Sequence, residues 1–195
     1  MKNLMLSILL LATPSLAHAN TETWIGEPAK SKLEWEGKKL AGSHQGTLQL
    51  KSGEFKFSKG KLVGGDFAID MTTIQDTDLT DKSYNEKLIN HLKSDDFFSV
   101  EKNPISYFKI TKVDALKNGS YSVTGDLTIK KITHSVSFPI ETKITADQLV
   151  AKGKVEVDRT LWDIKFRSSK FFADVGDKVI SDTFAIQVEI LAHKK

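Results

Sequence analysis

Any chemistry in this chain would have to come from histidines and carboxylates. Its 195 residues include no cysteine, hence no thiolate nucleophile and no cysteine-held metal. Beyond the first twenty residues the histidines are His44, His91, His134 and His193. None stands two or four residues from another, the spacings that put two imidazoles on one strand or helix face, so no metal-ligating pair is written in the sequence. Asp95 and Asp96 offer adjacent carboxylates, but neighbours diverge on a helical turn, and a capping role explains them better than general acid–base work. Nucleophile elbow, phosphate loop and dinucleotide fingerprint are all missing. The expectation is a chain without catalytic residues, metal or cofactor. His44 and His134 should sit at strand ends or turns in local hydrogen bonds. His91 flanks an apolar stripe, where it could meet a ligand headgroup.

Most of the eleven phenylalanines and three tryptophans are ordinary core material. Two doublets exceed that reading, Phe97-Phe98 and Phe171-Phe172, because neither lies in a strand interior. Paired aromatics near connections suggest apolar surface around an opening.

The elements that must position these residues are mostly strands. Period-two alternation runs through Leu33 and Trp35, Leu48 and Leu50, Phe55 and Phe57, and Phe67, Ile69 and Met71. It returns in Phe108 and Ile110, in Tyr121 to Ile129, in Val136 to Ile140, in Val155 and Val157, and in Phe184 to Ile190. Reversals are expected at Ser52-Gly53, Lys59-Gly60, Gly64-Gly65 and Asn118-Gly119. One segment breaks the rhythm: Ser83 and Glu86 fit a capping box, and Tyr84, Leu88 and Leu92 recur with Ile89 beside them as a helical stripe. Ser94 should end that helix and cap a second short helical piece opened by Asp95 and Asp96. Consecutive strands with short connections favour antiparallel pairing. The fold class that follows is all-β, an antiparallel barrel of about eight strands whose one short inserted helix caps an end. A barrel of that size holds one small ligand, as lipocalins do.

Composition adds a compartment. Lys2, the apolar run Leu4 to Leu16, and Ala17-His18-Ala19 have the order of a signal peptide, so residues 1–19 should be removed after Ala19. Export to the periplasm, or secretion, follows. Residues 20–195 then form one domain, with no later stretch long enough for a transmembrane segment. The formal net charge of +3 falls by one with Lys2. Its basic residues are scattered, so the chain has no nucleic-acid footprint.

Four stretches, "GGDFAIDMTTI" (64–74), "KLINHLKSDDFFSVEKNPISYFKIT" (87–111), "YSVTGDLTIKKITHSVSFPI" (121–140) and the segment from "VEVDRTLWDIKF" to "DKVISDTFAIQVEI" (155–190), together resemble the YceI-like family of bacterial secreted proteins. The resemblance implies a lipocalin-like barrel whose tunnel takes a long apolar molecule, typically a polyisoprenoid or quinone tail, in some members a fatty acid or amide. It places Leu88, His91, Leu92, Phe97 and Phe98 near the ligand entrance. Trp35, Phe67, Ile69, Phe108, Ile110, Phe171 and Phe172 complete the expected ligand-binding set. Trp162-Asp163 and Arg167 depart from the family's pattern beside the second doublet. The function so implied is a periplasmic binding or carrier protein for a polyisoprenoid or isoprenoid quinone, acting as a monomer or homodimer. Two other readings stand beside it: an enzyme with a site built on His44, His91 or His134, and a barrel filled by its own side chains.

Overall fold

The computed structural model describes residues 21–40 and 42–195, so the signal-peptide reading lies outside the described residues. Nine strands form one antiparallel sheet: β1 (Thr21–Gly26), β2 (Lys32–Lys39), β3 (Gly42–Ser58), β4 (Lys61–Asp76), β5 (Ile105–Ala115), β6 (Ser120–Ile129), β7 (Ile132–Ile144), β8 (Gln148–Asp158) and β9 (Ile180–Lys194). From β2 to β9 each strand pairs with the next, and β2 pairs with β9, which closes an eight-stranded ring. The short β1 extends the position of β2. Trp24 pairs with Phe55 of β3 and Lys194 of β9, while a 3-10 turn at Pro28–Lys30 separates the two pieces. Proline cannot donate to a ladder, which accounts for the interruption.

The two barrel ends differ because the connections differ. At one end lie the hairpin turns 59–60, 116–119 and 145–147, and there Trp24, Phe57, Leu62, Tyr121, Leu149 and Ala192 pack into a buried plug. Lys59-Gly60 and Asn118-Gly119 have positive φ, as the tight reversals there require. The other end receives both long connections, 77–104 and 159–179. The first carries α1 (Lys82–Lys93), the only α-helix among the described residues.

Several local expectations change. Asp81, not Ser83, caps α1: its Oδ1 accepts the N–H groups of Ser83 (2.9 Å) and Tyr84 (3.1 Å). Tyr84 is exposed, whereas Asn85 turns inward and donates from Nδ2 to the Asp76 and Leu79 carbonyls. After the helix, Ser94 Oγ donates back to His91 O, and the Phe97 and Ser99 N–H groups both reach Ser94 O. Residues 95–100 are thus a main-chain-closed turn. Asp95 and Asp96 serve instead as partners of Lys102 and His91.

Ser52-Gly53 and Gly64-Gly65 are not reversals but lie inside β3 and β4. A Cβ on Gly53 would stand 2.5 Å from Phe67 Cδ1, and one on Gly65 would stand 2.9 Å from Phe67 Cε2. These glycines make room for an inward ring, the close-approach role of glycine in a strand.

Candidate ligand-binding site

Inward residues of all eight ring strands enclose a cavity of ≈ 200 Å³ between the plug and the two long connections. A single buried water needs about 10–15 Å³ on this scale, so the space suits a larger guest. Its deep half is walled by Leu50, Phe55, Ile110, Val123, Ile140, Ala151 and Ile190. Higher up stand Trp35, Phe67, Ile69, Phe108, Leu127, Phe138 and Ile186. Leu92, Phe97, Phe98, Ile164, Ile180 and Phe184 lie under the connections at the mouth. Interior alternation in a small barrel builds such a wall when the inward side chains do not meet at the axis.

The sequence-derived set divides. Trp35, Phe67, Ile69, Leu92, Phe97, Phe98, Phe108 and Ile110 line the cavity. Leu88 packs against the core behind it. His91 is a keystone in the mouth: its ring sits edge-on to Phe97 (4.9 Å) and to Phe166 (4.5 Å), and its Nε2 lies 3.0 Å from Asp96 Oδ2. Phe171 and Phe172 are 48% and 50% exposed and do not border the cavity, so the doublet is a correction. Main-chain turns explain this placement, because the N–H groups of both residues bond Ser168 O, and Lys165 Nζ lies 5.0 Å from the Phe171 ring centroid. Phe166, a few residues earlier, takes the position at the mouth instead. Its isolated occurrence within I-K-F-R carried no periodic signal.

Arg159 was also missed. It is 3% exposed and borders the cavity. Nε donates to Ser181 O (2.9 Å), Nη1 to Ile164 O (2.7 Å) and Nη2 to Ile180 O (3.0 Å). Burial pulls its guanidinium below the usual arginine range, opposed by Asp182 and Asp158. This one side chain therefore ties the connection 159–179 to the start of β9. Trp162 and Asp163 have structural places: Trp162 is fully buried with Nε1 donating to Leu127 O, and Asp163 ends the turn in a left-handed conformation.

Outside the cavity, His44, Asp76 and Asp78 bring one candidate metal-ligating atom each within 4.8 Å. The His44 Nδ1 to Asp78 Oδ2 distance is 3.0 Å, Asp78 Oδ1 accepts the Gln45 N–H, and Asp76 Oδ1 accepts the Leu79 N–H and Asn85 Nδ2. Burial, and then the Asp78 carboxylate, keeps the Asp76 carboxyl above the ordinary aspartate range, against the Leu79 hydrogen bond. Local bonds thus join the start of β3 to the approach to α1. Lys39 Nζ stands 3.5 Å from His44 Nε2. His134 Nε2 is 2.9 Å from Leu161 O, and its ring meets Trp162 edge-on at 5.1 Å. Among the described residues, no histidine borders the cavity.

Fold and site define a class: a closed lipocalin-like antiparallel barrel around an apolar cavity with a helical cap. Comparison gives the family. A sequence model of the YceI-like domain matches residues 24–192, and the chain belongs to that family. It is similar to a UPF0312 protein of Vibrio parahaemolyticus, 32% identical over 97 residues, which are 45% of this chain and 51% of that one. A UPF0312 protein of Shewanella denitrificans is 31% identical over 90 residues, 46% and 44% of the two chains. These matches span about half the length of the curated relatives.

Among solved structures, BcnA of Burkholderia cenocepacia superposes with a TM-score of 0.65 at 22% identity, covering 86% of this chain and 99% of that one. A polyisoprenoid binding domain from Saccharophagus degradans gives 0.62 at 11% identity over 91% and 100% of the two chains. At these identities the likeness is one of fold.

Proposed function

We propose that this protein is a periplasmic carrier that holds a long apolar lipid, of polyisoprenoid or isoprenoid-quinone type, in the barrel cavity and releases it unchanged. The single observation behind this reading is the cavity, walled by aliphatic and aromatic side chains from plug to mouth. Moving an apolar chain from water into such a space is worth about 0.8 kcal/mol per CH2, so a long tail binds without a charged partner. The polyisoprenoid binding domain of the same fold supports the choice of ligand. Non-catalytic action fits a lining whose titratable residues, among the described residues, are Lys38, Lys152 and Arg159. Both lysines hold ion pairs, with Glu36 and Glu189, and Arg159 is spent on carbonyls. Export rests on the leader-like residues 1–19.

The test is mass spectrometry of an organic extract of the protein purified from periplasm. A stoichiometric isoprenoid lipid is the expected result. Protein that carries no lipid and takes up none from added prenyl quinone would overturn the proposal and leave a self-filled barrel.

A further inference from the structure

Two buried polar side chains border the cavity, Arg159 and Ser106. Arg159 is committed to three main-chain carbonyls. Ser106 is not. It is 5% exposed, and its hydroxyl, which makes no hydrogen bond with any described residue, is not sealed in the wall but open to the cavity. An unpaired hydroxyl open to an apolar cavity bonds whatever fills it, and a guest that displaces water there without offering an oxygen forfeits that hydrogen bond. The sheet around it offers none: Ile69 stands across from Ser106 on β4, and Phe108 is the next inward residue on β5.

Position gives the hydroxyl its meaning. Ser106 is the second residue of β5, just past the point where Met71 N–H bonds Pro104 O, so it lies at the mouth end under the cap. Below it the buried side chains on the wall are apolar down to the plug. We infer that Ser106 Oγ bonds an oxygen at one end of the ligand, which is therefore an amphiphile held with its polar end under Leu92, Phe97 and Phe98 and its tail directed at the plug. This rests on the lipid-carrier reading and narrows it from any long apolar chain to one bearing a terminal quinone, alcohol, ester or amide oxygen. A static guanidinium on the same end of the wall, Arg159, adds favourable potential for that oxygen.

Phytane and phytanol share one branched skeleton and differ by a single oxygen, so their affinities for delipidated protein isolate the hydroxyl. They can be measured by displacement of a solvatochromic dye. The parent should prefer phytanol by about three- to tenfold, the range of one net hydrogen bond. Ser106→Ala should lose that preference by weakening phytanol alone, and Ser106→Thr, which keeps a hydroxyl, should retain it. A preference that survives in Ser106→Ala, or an equal loss for both probes, overturns the inference. Failure of both probes to bind the parent sinks the carrier reading itself and this inference with it.

Discussion

The His91 ring meets the Phe166 ring edge-on, centroids 4.5 Å apart, and this contact joins the two long connections that cover the cavity mouth. His91 is on α1 and Phe166 on the segment between β8 and β9, so neither connection closes the mouth alone. Phe97 completes the cluster, 5.6 Å from Phe166. Edge-to-face pairs contribute about 0.5–1.5 kcal/mol beyond their buried area, enough to bias a cap without locking it. A lid must come from the less stable part of a fold.

Phe166→Ala should therefore act on exchange more than on folding. The expected outcome is several-fold faster release of a bound fluorescent lipid in stopped flow, with hydrogen-exchange protection lost in α1 and kept in the plug. Unchanged release kinetics would show that the two connections do not gate the cavity.

Cap and plug should separate in equilibrium measurements as well. Leu92 and Phe98 border the cavity, whereas Leu149 is fully buried in the plug and does not. Changing Leu92 and Phe98 together to Ser removes two apolar contacts worth about 1.5–3 kcal/mol each when fully buried, and should strip most lipid from the purified protein. Leu149→Ala should cost about 2–5 kcal/mol of stability through the void it leaves, with lipid per mole of folded protein near the parent's. Val188 makes a poorer control, because this wall residue also faces the cavity. Lipid content beside the thermal midpoint decides the matter. If the cap variant keeps its lipid, Leu92 and Phe98 are simply core.

The barrel was legible because alternation is a property of each strand alone. Phe184, Ile186, Val188 and Ile190 all face the cavity as their period demands. What stayed hidden depended on pairs distant in sequence. Gly53 and Gly65 carry a turn residue's signature, yet their spacing serves one ring, Phe67, and no local rule contains that ring. The β6–β7 reversal is made by Lys130 and Lys131, both with positive φ, where lysine gives no turn signal. The aromatic doublets looked alike, but residues 95–100 fold back under α1 while the Ser168 carbonyl turns residues 171 and 172 outward. Of the eight expected ligand residues that line the cavity, Trp35, Phe67, Ile69, Phe108 and Ile110 do so because an inward strand position already implies it, and Leu92, Phe97 and Phe98 because the apolar stripe of α1 and the turn after it face the mouth. His44 met Asp76 and Asp78 only through the pairing of β3 with β4, which linear spacing cannot show.

Arg159 ties three main-chain carbonyls together, so its removal should be costly. Arg159→Met keeps much of the stem's bulk but leaves the carbonyls of Ile164, Ile180 and Ser181 without donors in a buried setting. Each lost partner costs about 1–3 kcal/mol where water cannot replace it. The variant should unfold at markedly lower denaturant, and proteolysis should cut first within 159–179. A midpoint within experimental error of the parent's would mean that water reaches those carbonyls and that the connection is held by other contacts.

Acid should loosen the same connection through Asp158, the last residue of β8. Burial works to raise its carboxyl, but hydrogen bonds from Lys170 and Thr160 outweigh that and hold it below the ordinary aspartate value. Lys170 Nζ lies 2.7 Å from Oδ2, and Oδ1 accepts the Thr160 hydroxyl (2.6 Å) and N–H (3.0 Å). A carboxyl depressed in the fold contributes stability that is fully present above the unfolded value of about 3.9 and is lost as pH falls through the folded value. The loss therefore belongs to the window below about pH 4, not to neutral pH. Asp158→Asn keeps an acceptor for Thr160 but gives up the charge for Lys170. Its thermal midpoint should lie below the parent's at pH 7, and the two curves should converge as both are taken toward pH 3. Parallel curves across that range would show that Asp158 does not fasten the connection by its charge.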